Sequence, residues 1–456
     1  MKVILVKRDW LEESGLRLEA SGYTTGSREI KEKIRRSKYG YKPLASIAKI
    51  FNGPRFARVY IEDSDRSVPF LSNSDMLLAN FAGIKYLSRK YTPALDEIRL
   101  KQGWTLISCS GTVGNTVYVR PDMDGMTGSQ HIMRVAPLPD SLPSGYLYSF
   151  LSSPLAKAMI QEGTYGSVIQ HIEPNHITDL PIPSLPTKTQ RRIHELVERA
   201  AALRVEAANV LKASIARMER QVIGLPKGHR WKYGFDHARA IEIAPITAGT
   251  TRLDAFHHVG YAREGVQTLK QASRLGELVR AYQPSMFKRP YTDKENGIPF
   301  LSGVDLYDVI PQPRLYISKR MPGLENYIVK AGTILVQSDG QRYGLFGRPM
   351  ILPKHLDGST VTQHLMRLHP HDPKDRGFVY VYLLAETGRR ALLRQSFGTS
   401  MGALFENSFH RTEIPDCKPA VRYSFEDNVA QVITFREQAY QAEIKAQSIL
   451  LAELET

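Results

Sequence analysis

The spacing of hydrophobic and polar positions predicts two long amphipathic helices. The first begins at the capping pattern of residues 187–190 (TKTQ) and ends near residues 224–226 (GLP). Its apolar side chains recur every three or four residues: Ile193, Val197, Ala200, Leu203, Ala207, Leu211, Ile215 and Met218. The second begins near residue 424 and carries Val429, Ile433, Tyr440, Ile444, Leu451 and Leu454. We therefore predict long helices at residues 187–225 and 419–456.

Helices of this length need a partner. At 1.5 Å per residue each would reach roughly 50 Å, and such a helix cannot bury an apolar stripe on itself. We expect the two helices to pair antiparallel about a pseudo-twofold axis, with Ile444 on the buried stripe. The side chains that we predict for pairing and for partner docking are Ile193, Val197, Leu203, Leu211 and Ile215 on the first helix, and Val429, Ile433, Tyr440, Ile444 and Leu451 on the second.

The remaining segments mix strand-like and helix-like patterns. Residues 104–108 (WTLIS) and 333–337 (TILVQ) are typical of buried strands, whereas residues 147–161 and 379–395 are typical of helices. Glycine-rich turns separate these segments. The sequence therefore predicts an α/β fold of the mixed type.

The chain repeats itself. Residues 130–135 (QHIMRV) return as residues 363–368 (QHLMRL), and residues 68–72 (VPFLS) return as residues 298–302 (IPFLS). Other stretches match in the same order, each about 230 residues later, which is the signature of an internal repeat. We predict two similar globular domains in tandem, at residues 1–186 and 226–418, each followed by one of the long helices.

Composition narrows the class of protein. A chain of 456 residues with 42% hydrophobic and 23% charged residues suits a soluble protein of several domains, and no apolar run is long enough to predict a membrane span. Two cysteines, Cys109 and Cys417, exclude a disulfide framework, so we expect a reducing cytoplasm. The net charge of +15 favours nucleic acid as partner over a membrane surface. A basic, solvated surface without a partner is the alternative.

The repeated Gln-His pair allows three interpretations. Gln130 and His131, like Gln363 and His364, precede an apolar strand-like run, which fits a polar pair at a strand entry. Both side chains can also donate hydrogen bonds to phosphate or sugar oxygens. Catalysis is the least favoured interpretation, because neither copy has a nucleophile or an acidic partner nearby in sequence.

Two further features are candidates for DNA contact. The turn at residues 110–115 (SGTVGN) corresponds to residues 338–344 (SDGQRYG), and such glycine turns expose backbone N–H groups to an anion. Basic residues also lie among aromatic ones in both copies. The complete set of predicted DNA-binding residues is Arg55, Arg58, Ser110, Thr112, Asn115, Gln130, His131, Lys288, Arg289, Gln341, Arg342, Gln363 and His364. We expect Asn115, Gln341 and Arg342 to lie near bases, although glycine turns of this kind are usually plain hairpins.

The usual enzyme motifs are missing from the sequence. It has no phosphate-binding lysine loop, no dinucleotide-binding glycine motif and no Asn-Pro-Pro-Tyr tetrapeptide of amino-methyltransferases. Pro415 and Asp416, followed by Glu443 and Lys445, fit a loose nuclease pattern, but the last two fall within a predicted helix. Residues 369–372 (HPHD) are interpreted as a turn. We predict no catalytic and no metal site.

In this order, the motifs resemble those of the specificity subunit of type I restriction–modification systems. The resemblance is carried by residues 252–255 (RLDA) with His257 and His258, by the paired glycine turns, and by residues 180–183 (LPIP) with 190–193 (QRRI). It covers nearly the whole chain. It implies two target-recognition domains that each read half of a split DNA sequence, and two helices that set the gap between the halves.

The resemblance also implies partners. These are double-stranded DNA, two DNA adenine methyltransferase subunits and, where the system cleaves, ATP-dependent restriction or translocase subunits. S-adenosylmethionine, and ATP with Mg²⁺, would belong to those subunits, and this chain would hold no cofactor. Two other hypotheses stay open at this point: a recognition subunit of a type IIB or other methylation-linked phage-defence complex, and a helical adaptor that binds no DNA.

Overall fold

A computed structural model of the chain describes residues 5–13, 21–81, 83–165, 170–229, 231, 252, 255–342, 344–398 and 401–455. It divides the chain into two compact units. Unit 1 comprises residues 1–205 and 438–456, and unit 2 comprises residues 206–437. Both divisions fall within the long helices. The domain boundaries at residues 186 and 418 stay predictions.

Unit 1 is built on two four-stranded sheets and one two-stranded ribbon. The first major sheet is antiparallel and contains, in spatial order, Ala48–Asn52, Ile132–Pro137, Thr105–Ser108 and Thr116–Tyr118. The first minor sheet contains Tyr60–Ile61, Lys85–Ser88, Ser67–Leu71 and Thr127–Gly128, of which the last two strands are parallel. Tyr41–Pro43 pairs with Pro181–Pro183 in the ribbon.

Unit 1 also has shorter helices, of which Ser144–Leu151 lies against the major sheet. They are Arg8–Glu13, Ser21–Thr24, Ser27–Arg35, Ser144–Leu151 and Pro154–Glu162, with 3₁₀ turns at Leu44–Ser46, Asp75–Leu77, Leu95–Ile98, Pro121–Met123 and Pro174–Ile177. Ser144–Leu151 is buried along most of its length, and the Tyr146 hydroxyl donates to the carbonyl of Pro183 in the ribbon at 2.7 Å. This helix, the major sheet and the ribbon share one apolar core.

Unit 2 has the same plan. The second major sheet contains, in spatial order, Val279–Tyr282, Leu365–Pro370, Ile334–Gln337 and Pro349–Ile351. The second minor sheet contains Tyr291–Thr292, Leu315–Ser318, Gly297–Leu301 and Thr360–Val361. Ribbons are formed by Ala272–Arg274 with Glu413–Pro415 and by Asp339–Gly340 with Gly402–Ala403.

The described residues of unit 2 form seven short helices, compared with five in unit 1. They are Ala255–His258, Gly260–Gln267, Gly303–Tyr307, Arg376–Leu384, Glu386–Arg394, Glu406–His410 and Pro419–Tyr423, with 3₁₀ turns at Leu275–Glu277, Leu324–Asn326, Lys354–Leu356 and Pro373–Asp375. The hydroxyl of Tyr382 donates to the carbonyl of Glu413 at 2.7 Å, as Tyr146 does to the ribbon of unit 1. Both major sheets have the same strand order, and so do both minor sheets, which confirms the tandem repeat and the mixed α/β class.

The first long helix, Thr187–Arg217, continues as a π-helical turn at Met218–Ile223, and the second is Glu426–Glu455. Within unit 1 their segments run antiparallel, since Thr189 contacts Glu453 and Arg204 contacts Glu443. Within unit 2 Ser214 contacts Asn428, and Arg217 contacts Ser424, in the same antiparallel sense. The antiparallel pairing of helix segments is therefore present in each unit. The pseudo-twofold relation stays a prediction.

Three details differ from the sequence predictions. Residues 147–161 belong to two helices and not one, because Pro154 starts a new helix after Ser153. Residues 379–395 are also divided between two helices, because the backbone is extended at Ala385. The second long helix begins at Glu426, after a separate short helix. Its stripe is also shifted: Ala442, Glu443 and Ala446 are buried, whereas Ile444 is only half-buried, so placing Ile444 on the buried stripe was wrong.

None of the helices in the described part of the chain combines the length and the apolar character that a membrane span requires.

Both cysteines are free thiols, and burial raises the pKa of Cys109 to about 11. Such a thiol is a poor nucleophile at neutral pH.

Buried His257 should make unit 2 sensitive to acid. Its Nδ1 contacts the carbonyl of Arg394 at 2.9 Å, and burial, with the charges of Arg394 and Arg252, lowers the pKa of His257 to about 4. In the unfolded chain a histidine titrates near ~6.5. The folded pKa is the lower one, so the contribution of neutral His257 to stability is complete above pH ~6.5 and is lost as the pH falls towards 4.

We expect the variant His257→Asn, which keeps a donor for Arg394 but does not titrate, to lose less stability in that pH window than the wild type. Thermal unfolding midpoints of the full chain between neutral pH and pH about 4.5 measure this difference. His258→Asn serves as the control in the same short helix. Parallel pH profiles for the wild type and His257→Asn would contradict the expectation.

Candidate nucleic-acid interface

The repeated Gln-His pair lies where the minor sheet passes into the major sheet. In unit 1 it follows the minor strand Thr127–Gly128 and precedes the major strand Ile132–Pro137. In unit 2 it lies between Thr360–Val361 and Leu365–Pro370. Each pair therefore lies at the entry to a strand, as the first of the three interpretations predicted.

Each pair is part of a longer hydrogen-bonded chain. Gln130 Nε2 lies 3.0 Å from His131 Nε2, and Arg58 Nη2 donates to Gln130 Oε1 at 2.6 Å. The same bonds occur in unit 2. There Gln363 Nε2 lies 3.0 Å from His364 Nε2, and Arg289 Nη2 donates to Gln363 Oε1 at 2.8 Å. We call these groups the first cluster (Arg58, Gln130, His131) and the second cluster (Arg289, Gln363, His364).

An aromatic ring of the minor sheet supports each arginine. The Arg58 guanidinium lies 5.1 Å from the ring centroid of Phe70, and that of Arg289 lies 5.3 Å from the ring of Phe300. Such stacking restricts the motion of the guanidinium and leaves the N–H groups at its edge free to donate. The sequence predicted aromatic partners beside these arginines in the chain; of those, Phe287 lies 6.0 Å from Arg289, whereas Phe70 and Phe300 were not predicted.

The first cluster borders an open pocket on the surface of unit 1. Arg55, Phe56, Arg58 and Gln130 line this pocket, whose volume is about 490 Å³. Burial, followed by electrostatic interaction with Arg58, His171 and Arg55, lowers the pKa of His131. The pocket is therefore a place of positive potential, with two exposed arginines and an amide at its wall.

The second cluster has an additional contact with a carboxylate. His364 Nδ1 lies 2.9 Å from Asp339 Oδ2, which also accepts from the Ser338 hydroxyl at 2.9 Å. The predicted DNA-binding residues do not include Asp339, although it lies within one of the repeated glycine turns. The signal was available, because Asp339 stands where the first copy has Ser110, in the turn whose side chains change between the copies.

The other predicted residues of the glycine turns have internal contacts or face solvent. Asn115 Oδ1 accepts from Lys157 Nζ at 3.0 Å. Arg342 donates to the carbonyl of Gly398 at 2.6 Å, and its guanidinium lies 3.8 Å from the ring centroid of Phe256. Thr112, Gln341 and Lys288 are exposed. That Asn115, Gln341 and Arg342 lie near bases stays a prediction.

The nuclease-like pattern has a structural explanation. Glu443 lies in the middle of a long helix, where Arg204 contacts it with both terminal nitrogens at 2.7 and 2.6 Å. The Tyr148 hydroxyl adds a third contact at 3.3 Å. A carboxylate held in this way is not available to a metal ion.

Residues 369–372 also have structural contacts. The Asp372 carboxylate accepts from the backbone N–H of Lys374 at 2.9 Å and from the Tyr423 hydroxyl at 2.7 Å. Over the described ranges, no group of three or more histidine, cysteine or acidic side chains is arranged to hold a metal ion.

Comparison with known proteins agrees with this architecture. Residues 36–216 match the family described as "Type I restriction modification DNA specificity domain". This range contains both sheets of unit 1, the first cluster and nearly all of the first long helix. A comparison with curated proteins found no match.

Several solved structures match over nearly the full length, at low identity. One is the S subunit of a type I restriction-modification system from M. genitalium, with 15% identity, a TM-score of 0.34 and coverage of 92% of this chain and 94% of that chain. Another is the HsdS subunit from Thermoanaerobacter tengcongensis, with 16% identity, a TM-score of 0.28 and coverage of 91% and 96%. A third comes from a study of complex assembly and conformational transition of the type I R-M system, with 14% identity, a TM-score of 0.29 and coverage of 91% and 96%.

The sequence match agrees with the resemblance to specificity subunits that the motifs predicted. Residues 36–216, less than half of the chain, are therefore similar to the type I restriction–modification DNA specificity domains.

Proposed function

We propose that the chain is the specificity subunit of a type I restriction–modification complex and reads a bipartite target in double-stranded DNA, one half with each unit. One observation carries this proposal: the matched specificity domain covers one copy of the repeat, and the second copy has the same strand order in both sheets. A second domain of the same fold with different surface side chains would read a different half-site.

The charge of the chain supports binding to DNA. A net charge of +15 provides attraction to phosphates that is independent of sequence. Selectivity needs contacts to base edges, each good bidentate pair being worth ~1–3 kcal/mol against the wrong base. Two half-site readers in one chain multiply their selectivities, because both halves must match for full affinity.

Partners would supply the chemistry. Two DNA adenine methyltransferase subunits would use S-adenosylmethionine, and restriction or translocase subunits, where present, would use ATP with Mg²⁺. The long helices offer surfaces for docking, since Leu203, Ile215, Ile433, Tyr440, Ile444 and Leu451 are only half-buried. Ile193, Val197, Leu211 and Val429 are buried within their own units and serve packing. A cytoplasmic location would suit this assembly.

Two rival hypotheses remain distinguishable. A recognition subunit of a type IIB or other methylation-linked complex would bind DNA in the same way, and neighbouring genes would separate it from the type I case. A helical adaptor would bind no DNA. An electrophoretic shift with duplex DNA, alone and with a co-purified methyltransferase, separates the adaptor from both readers.

The domain exchange is the main test. Replacing residues 1–186 by the corresponding domain of another specificity subunit should change one half of the methylated sequence and leave the other half and the spacer as they were. Single-molecule methylation mapping of DNA from cells that carry the hybrid and its methyltransferase measures this. The reciprocal exchange of residues 226–418 is the matched control, and should change the other half only. A methylated sequence that kept both halves after either exchange would refute the proposal.

A further inference from the structure

The two clusters occupy equivalent places in the backbone. Cys109 N–H donates to the carbonyl of His131 at 3.1 Å, and Ser338 N–H donates to that of His364 at 2.9 Å. Ser110 and Asp339 each follow the donor residue directly. Position 110 in unit 1 is therefore the counterpart of position 339 in unit 2, and the repeat places a hydroxyl in one unit where the other has a carboxylate.

In unit 1 the positive charge of the cluster is not balanced locally. Among the described residues, no carboxylate forms an ion pair with Arg55 or Arg58. Glu173, an acid of the same unit, is engaged elsewhere: it accepts from Asn52 Nδ2 and from the Tyr165 hydroxyl, both at 3.2 Å. Arg58 is exposed, and its guanidinium forms one wall of the open pocket.

In unit 2 the carboxylate of Asp339 adds a negative charge beside the cluster. Asp339 contacts His364, and Gln363 is only 8% exposed. Arg289 is half-buried and lies 3.5 Å from the Thr362 hydroxyl as well as close to Gln363. Lys288 adds a second cation, but the fixed negative charge of Asp339 stands where an incoming anion would otherwise approach His364. Like charges at such a separation repel, which makes the second cluster a poor anion site.

We propose that the pocket of Arg55, Arg58 and Gln130 binds one phosphodiester group of the DNA backbone, and that Asp339 prevents the second cluster from making the same contact. This inference rests on the proposed function and adds the chemistry of one contact to it. Arg58, already oriented by Phe70 and Gln130, would donate from its remaining N–H groups, and Arg55 would supply the second charge. Arginine suits this role because its planar fork matches two phosphate oxygens.

The salt dependence of DNA binding gives the first test. One neutralised phosphate contributes about 0.9 to the slope of log K against log salt, or about eightfold in affinity at ~0.1 M salt. In Arg58→Gln we expect the slope to decrease by about that amount, whereas Arg58→Lys, which keeps the charge, should retain it. Arg289→Gln is the matched variant from the second cluster and should leave the slope unchanged. The measurement uses the full chain with its methyltransferase and a random-sequence duplex.

Exchange of the residues at the equivalent positions 110 and 339 gives the second test. Ser110→Asp should reduce the slope as Arg58→Gln does, while Ser110→Asn, similar in size but uncharged, should not. Asp339→Ser should increase the slope, because it removes the carboxylate from the second cluster. Unchanged slopes in Arg58→Gln and Ser110→Asp, with wild-type binding intact, would overturn this inference alone. A wild-type complex that does not bind DNA would instead overturn the proposed function.

Inorganic phosphate separates a DNA phosphate from a free one. At equal ionic strength, potassium phosphate should displace the duplex no better than potassium chloride does, because an isolated phosphate lacks the neighbouring contacts of the backbone. Displacement that is much stronger in phosphate, and that disappears in Arg58→Gln, would mean that the pocket holds a free phosphate anion. That result would overturn the assignment to the DNA backbone.

Discussion

In the variant Arg204→Ala, the free energy of unfolding of the full chain is expected to fall by about 3–5 kcal/mol. Arg204 and Glu443 join the two long helices within unit 1 through two hydrogen bonds of 2.7 and 2.6 Å. Their side chains are 10% and 5% exposed. Removing the arginine leaves a buried carboxylate whose other contact is the Tyr148 hydroxyl, and an uncompensated buried charge is costly.

The double variant Arg204→Met, Glu443→Met is the decisive control. It removes both charges and fills the space with apolar side chains, so its stability should lie within about 1 kcal/mol of the wild type. Denaturation of the full chain measures the global effect, and hydrogen exchange in peptides from residues 187–205 and 438–455 locates it. If the double variant were as unstable as Arg204→Ala, loss of packing rather than an unpaired charge would be the cause.

Much of this fold could be predicted because the sequence is repeated. The repeat identified two copies of one domain, the positions of the strands Thr105–Ser108 and Ile334–Gln337, and two long helices with antiparallel partners. It also directed attention to the Gln-His pairs, which the structure places in equivalent hydrogen-bonded clusters. Periodicity and repetition can both be seen in the sequence alone, and they are sufficient for these predictions.

Buried charge could not be predicted in the same way. On the second long helix, small alanines and Glu443 face the partner helix, while larger apolar residues such as Ile444 and Tyr440 are half-buried beside them. A hydrophobicity pattern predicts that the large apolar residues are buried. It cannot predict burial of a carboxylate whose partner, Arg204, lies far away in sequence. The phase of the stripe was therefore misplaced by one residue at Ile444.

The same reason applies to the repeated arginine. Arg134 and Arg367 follow the Gln-His pairs in both copies, and arginine is normally a surface residue. Both are nevertheless buried, with 0% and 2% exposure. Only the three-dimensional structure shows the backbone carbonyls that each guanidinium contacts.

Arg134 connects the two sheets of unit 1, and Arg134→Met is expected to destabilise the chain by about 3–5 kcal/mol. Its guanidinium donates to the carbonyls of Gly128 and Ile132, each at 2.7 Å, and at longer distance to those of Ser129 and Ile98. Burial lowers the pKa of Arg134 to about 10, so it remains charged at neutral pH. Methionine fills the space but leaves buried carbonyl groups without a donor, which costs ~1–3 kcal/mol for each group that water cannot reach.

The repeat provides a matched comparison for this prediction. Arg367 makes two such contacts, to the carbonyls of Leu365 at 3.1 Å and Val361 at 3.4 Å, so Arg367→Met should cost roughly half as much. Arg134→Lys keeps the charge and some of the donors and should fall between Arg134→Met and the wild type. Unfolding free energies of the full-length variants test this order. Equal losses for Arg134→Met and Arg367→Met would show that the number of carbonyl groups left without a donor does not determine the loss of stability.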